Sequence, residues 1–217
     1  MNMTQYIKTT VKFSVFLAVL SCIAVGQVVA ASHVAEKSDF SKAADLVREK
    51  KYVEAFDIFE SLAQAHDSDA QFNAAVFLRK GIGRPSNYPD ALKWAWLAEL
   101  GGNVRAADLR AELVGLMPEE QLGPVRNRVK SVLQGRMDAG ETVVILQMAD
   151  YHLGVEAEPD YKNAYALRSL AAALSIENAG VLRDEVEAEL EPEELIEAQT
   201  VATSLFSSTT WVIKVED

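Results

Sequence analysis

Apolar residues recur at helical spacing along most of the chain. Ala91, Trp94, Ala95 and Ala98 fall at i, i+3, i+4 and i+7, and Ala55, Phe59 and Leu62 repeat the step. Each set therefore lies on one face of a helix. Pro89, Pro118 and Pro192 stand where such runs begin, because proline's missing N–H costs nothing in a first turn. The acids after Pro118 and Pro192 suit the positive end of a helix. Asp69 is placed to cap the helix that follows it. Gly81 and Gly154 come just after apolar runs, where a left-handed residue closes a helix cheaply. Period-two alternation is confined to Thr209–Val215, with Trp211, Ile213 and Val215 on one side.

The pattern predicts an all-α chain of five helix pairs: 40–50 with 53–65, 69–80 with 89–100, 103–116 with 118–134, 141–153 with 162–174, and 177–190 with 192–206. Loops Gly81–Tyr88 and Gly154–Tyr161 join the second and fourth pairs. Each pair is too thin to bury its own apolar face, so stacking into a right-handed α-solenoid is the expected outcome.

Internal repetition supports this. Tyr-x-x-Ala occurs at Tyr52/Ala55, Tyr88/Ala91 and Tyr161/Ala164, with spacings of 36 and 73 residues. Residues 74–117 align with 147–190 at a constant offset of 73. Gly81 pairs with Gly154, Tyr88 with Tyr161, Ala91 with Ala164, Arg110 with Arg183 and Glu112 with Glu185. Glu191 shifts the offset to 74, and Pro118-Glu119-Glu120 then matches Pro192-Glu193-Glu194. The duplication thus spans 74–134 and 147–206.

The second pair reads Ala75-Val76-Phe77-Leu78-x-x-Gly81-Ile82-Gly83, then Tyr88-Pro89-Asp90-Ala91-Leu92-Lys93-Trp94, then Ala98-Glu99-Leu100-Gly101-Gly102 and Ala106. This resembles the Sel-one-like repeat, a relative of the tetratricopeptide repeat. The fourth pair is similar but departs at Glu156, where the second glycine is expected, and at Leu167, in place of tryptophan. The resemblance covers most of 40–206. It implies packing and turn roles for Gly81, Gly83, Tyr88, Ala91, Trp94, Gly154, Tyr161 and Ala164, an adaptor role between proteins, and export in bacterial members. The family has no shared catalytic residue.

Composition narrows the partners. The 217 residues carry 21 Lys plus Arg against 32 Asp plus Glu, net −11, which opposes non-specific binding to nucleic acid or anionic lipid. One cysteine and three histidines exclude a disulfide framework and leave too few ligands for a Cys/His zinc site. Lys8 and Lys12 precede an uncharged stretch, Phe13–Ala31, with small residues before Ala31. Residues 1–30 read as a signal peptide cut after Ala30, followed by a linker at 31–39, the repeat domain at 40–206 and a tail at 207–217. Two alternatives stay open: an uncleaved anchor, and a lipoprotein modified at Cys22 within Val19-Leu20-Ser21-Cys22. Cleavage removes both leader lysines and no acid, leaving 19 basic against 32 acidic residues, net −13.

Candidate chemistry is sparse. His33, His66 and His152 lie far apart; His152 is expected at a surface helix end and His66-Asp67-x-Asp69 at a turn. Gly81-Ile82-Gly83 lacks the preceding strand and following lysine of a phosphate loop, and Ser204, Ser207 and Ser208 lack a nucleophile elbow. Asp184 through Glu197 hold eight acids in fourteen residues, expected as a solvated end. The partner-binding candidates are Trp96, about 200° round the helix from Trp94, and the cations Arg126, Arg128 and Lys130, whose duplicated counterparts are Thr200, Ala202 and Ser204. Trp211 is expected to cap the last pair or to add as a strand to a partner.

The expected protein is therefore a non-enzymatic interaction or scaffold module of the periplasm or cell envelope, with an unknown protein partner, no nucleic acid, no cofactor and no metal, and self-association open. The alternatives are a membrane-tethered subunit of an envelope or secretion complex and, remotely, a hydrolase using an acidic pair.

Overall fold

The computed structural model describes residues 39–208. The leader, Cys22, His33 and the Trp211 tail lie outside the described residues. Helix α1 covers 39–48. Then follow α2 (Tyr52–Gln64), α3 (Ser68–Lys80), α4 (Tyr88–Leu100), α5 (Ala106–Leu116), α6 (Glu119–Asp138), α7 (Val144–Gly154), α8 (Tyr161–Ala173), α9 (Ala179–Glu187) and α10 (Pro192–Ser208). The described residues are all-α, with helices close to the spans that the periodicity predicts.

The described residues divide into two compact units, one up to Ile58 and one from Phe59 onward. In the first, α1 turns into α2 through Lys50, whose φ of 61° is left-handed. Lys51 N donates to the Leu46 carbonyl at 2.9 Å and satisfies the end of α1. Ala43, Ala55 and Phe56 are buried.

The second unit carries the duplication. Helices α3 and α4 form a hairpin, and α5 and α6 each pack on α4. Helices α7 and α8 form the matching hairpin, and α9 and α10 each pack on α8. The repeat is thus a hairpin plus two helices laid on its second arm. This corrects the third and fifth sequence-predicted pairs. Only Met117 and Pro118 separate α5 from α6, with extended backbone at both, so the chain turns a corner there. Helix α6 runs on and packs against α7, which joins the two halves.

Burial follows the predicted faces. Ala91, Ala95, Ala98, Ala164 and Ala171 are fully buried, which lets helices approach closely. Phe59 meets Phe77 edge-on at 5.7 Å between ring centroids. In the second half, Ala164, Tyr165, Val186 and Ala198 pack together, covered by Leu153, Leu190 and Leu195.

The caps explain the boundaries and correct two expectations. Asp67, not Asp69, caps α3, accepting from Ala70 N at 2.7 Å. Asn87 and Asp160 cap the second arms, accepting from the amides of Asp90 at 3.1 Å and Asn163 at 3.0 Å. Gly81 closes α3 at φ 68°, and Gly83 is also left-handed. Gly154 is different: it is the last residue of α7, and Val155 follows in right-handed helical conformation. Gly81→Ala should therefore lower stability by about 1 kcal/mol. A Cβ at Gly154 meets open space, so Gly154→Ala should be neutral or stabilising by up to about 1 kcal/mol. Thermal denaturation of the two variants checks the contrast.

Candidate functional site at the seam around α6

Helix α6 needs two faces because it lies between two halves. Leu122, Val125, Val129, Leu133 and Met137 recur at three- and four-residue steps and are buried. The cations stand between them. Arg126 Nε donates to the Val155 carbonyl at 2.9 Å, and its Nη1 reaches Glu119 at 3.1 Å. Arg128 pairs with Asp90 in the first turn of α4. Lys130 Nζ lies 3.0 Å from Glu156 Oε1. Arg136 reaches Glu141 and Gln147. The three candidate docking cations are thus spent chiefly inside the chain, tying α6 to α4 and to the end of α7. That accounts for the charge contrast with α10. No further half follows α10 among the described residues, so Thr200, Ala202 and Ser204 have no seam to hold.

Trp96 does not stand on an open surface: it is 3% exposed, and Trp94 is buried beside it. Helical spacing separated the two indoles correctly, but α4 is covered from several sides at once, by α3, α5 and α6. Both faces are core. The repeat residues Ala91 and Ala164 are fully buried, Tyr161 is 36% exposed, and Tyr88 lies under the Arg79 guanidinium at 5.6 Å.

Two constellations remain at the seam. The first is a hollow of about 350 Å³ between α4 and α6, lined by Lys93, Asn127, Arg128, Ser131 and Val132. The Lys93 ammonium sits 3.5 Å from the centroid of the Trp94 ring. Among the described residues no ion pair or hydrogen bond holds it. Burial lowers its pKa below the ordinary lysine value, and Arg128 lowers it further, against the opposing pull of Asp90 and Glu60.

The second is the cluster at the end of α7. His152 is buried, contrary to the surface position that its alignment with Arg79 suggests. Its Nδ1 lies 3.1 Å from Glu156 Oε2 and 3.9 Å from Asp160 Oδ2. Burial raises the Asp160 pKa, but hydrogen bonds from the backbone and side-chain amides of Asn163, with His152 and Lys130 nearby, leave it below the usual value. The neighbouring Tyr151 hydroxyl donates to the Arg126 carbonyl at 3.2 Å. Burial, with Glu156 adding, pushes that phenol up to about 12.

Sequence reading missed both. Lys93 lay inside a motif read only for packing. The partners of His152 are carboxylates four and eight residues on. The acidic run behaves as expected: Asp184, Glu185, Glu187, Glu189, Glu191, Glu193 and Glu197 are exposed, and Glu194 is half-buried. No described helix is long and apolar enough to cross a membrane.

No protein-family model matches the chain, and no curated protein matches it. Among solved structures, it is similar to a protective antigen of uropathogenic Escherichia coli displaying an SLR fold, at 16% identity and a TM-score of 0.35. The match covers 84% of this chain and 35% of that one, so the chain spans about a third of the antigen's length. A likeness this distant carries no argument about function.

Proposed function

We propose that the protein is a non-enzymatic protein-interaction module that acts in the periplasm or cell envelope and receives an acidic side chain of its partner in the Lys93–Arg128 hollow. The observation that carries the reading is the half-buried, unpaired Lys93 ammonium in a chain of net charge −11. Such a charge is poorly solvated, and a partner carboxylate restores what burial removes. Arg128 stands at the same hollow with its charge partly met by Asp90. Val132 supplies apolar surface beside the charges, and the charged rim sets specificity and encounter rate. Export rests on the leader pattern at residues 1–30. A mature N-terminus other than Ala31 would contradict cleavage there.

The test is pull-down of the crosslinked mature protein from its own envelope fraction, with Lys93→Gln and Lys93→Glu beside the natural chain. Lys93→Gln should keep the fold, since it removes a charge that burial disfavours, yet it should weaken capture of the partner about tenfold. A bound carboxylate raises the lysine pKa. Affinity should therefore be full below the free-state pKa of Lys93 and fall as pH rises past it. Raised salt should weaken capture. A partner retained equally by both variants and at all salt concentrations would overturn the reading.

A further inference from the structure

The segment between α7 and α8 keeps only Gly154 and Tyr161 of its duplicate, and three of its differences bring in side chains that can ligate a metal. At an offset of 73, His152 replaces Arg79, Glu156 replaces Gly83 and Asp160 replaces Asn87. The first hairpin shows what these positions need for folding alone. Arg79 pairs with Glu112, Gly83 makes a left-handed turn, and Asn87 caps α4. None of these roles requires a histidine or a second carboxylate. Asp160 performs the same cap on α8, so its negative charge is surplus to the cap.

The three replacements converge. One ligand atom from each of His152, Glu156 and Asp160 lies within 4.8 Å of the others. The Asp160 amide donates to the His152 carbonyl at 2.9 Å, which pins the ends of the loop together. We propose that these three side chains bind a divalent transition ion of the zinc class. Zinc–ligand distances of about 2.0–2.2 Å place tetrahedral ligand atoms about 3.4 Å apart. The observed separations of 3.1 and 3.9 Å from Nδ1 bracket that value. An imidazole nitrogen with two carboxylates suits zinc, whereas calcium takes six or more oxygens. His152 is buried while Glu156 and Asp160 are half-buried, so the ion has an entry side and a fourth position facing outward. Lys130 meets Glu156 through the other oxygen, Oε1. It orients that carboxylate and offsets one charge, leaving the site net negative with a neutral imidazole. The ion would tie the end of α7 to the start of α8 across their loop.

The experiment is calorimetric titration of the chelator-treated full chain with zinc chloride, with thermal denaturation as a second readout. The expected result is one equivalent bound and a raised melting temperature. Glu156→Gln and Asp160→Asn should each weaken binding at least about tenfold, the least that losing even an outer partner of a ligand costs, and asparagine keeps the α8 cap as Asn87 does in the first hairpin. A control in the exposed acidic run, Glu187→Gln, should bind as the natural chain does. Magnesium and calcium should bind far more weakly. No saturable binding up to about 1 mM zinc, affinity unchanged in Glu156→Gln and Asp160→Asn, or equal affinity for calcium would each overturn the proposal.

Discussion

Leu133→Ala is expected to destabilise the protein by about 2–5 kcal/mol, while Ser207→Ala at the duplicated position changes stability by less than about 0.5 kcal/mol. Leu133 is fully buried on α6. Truncation removes its transfer free energy and leaves a cavity between elements that cannot all collapse onto it. Ser207 is exposed, and its hydroxyl only bonds back to the Thr203 carbonyl at 2.9 Å. The same step of the repeat is thus interior in one copy and solvated in the other. Denaturant melts of both variants measure it. Equal losses would mean that α6 and α10 play the same structural part, which the seam does not allow.

Arg126→Ala is expected to cost about 1.5–3 kcal/mol, the range for a hydrogen bond made by a charged donor. Its main partner is the Val155 carbonyl, which has no charge for salt to screen. The loss should therefore persist at high salt. Arg128 pairs with Asp90, and both side chains are partly exposed. Arg128→Ala should cost less than about 1 kcal/mol, and raised salt should erase the difference. Melting temperatures at low and high salt separate the two. A salt-sensitive Arg126 would place its worth in the exposed Glu119 pair instead.

Much of the fold is legible in the sequence because helix periodicity, proline starts and glycine stops are local signals. The predicted spans 69–80 and 89–100 meet α3 and α4 within one residue. What is not local was lost. Nothing in the run around Pro118 tells whether α5 and α6 pack on each other or both on α4. Gly154 carries the same letter as Gly81 and a different backbone: Val155 continues in right-handed conformation, and Glu156 stands where the first hairpin has a second glycine. Trp96 was misplaced because a helical wheel shows which residues face apart, not how many neighbours surround the helix. The charges of Arg126, Arg128 and Lys130 were visible, but their partners Val155, Asp90 and Glu156 lie 29, 38 and 26 residues away. Duplication helped most where it failed. The differences at 79, 83 and 87 against 152, 156 and 160 bring a histidine and two carboxylates together at the end of α7.

The proposed docking of a partner at the hollow between α4 and α6 is open to direct test. A photoreactive residue at Ser131, exposed on α6 and lining that hollow, tests it most directly in the intact envelope. The expected result is a crosslink to one partner through an acidic segment, lost when Lys93→Gln is added. Silence at Ser131, with strong crosslinking from the exposed Ile196 or Phe206 of α10, would contradict it.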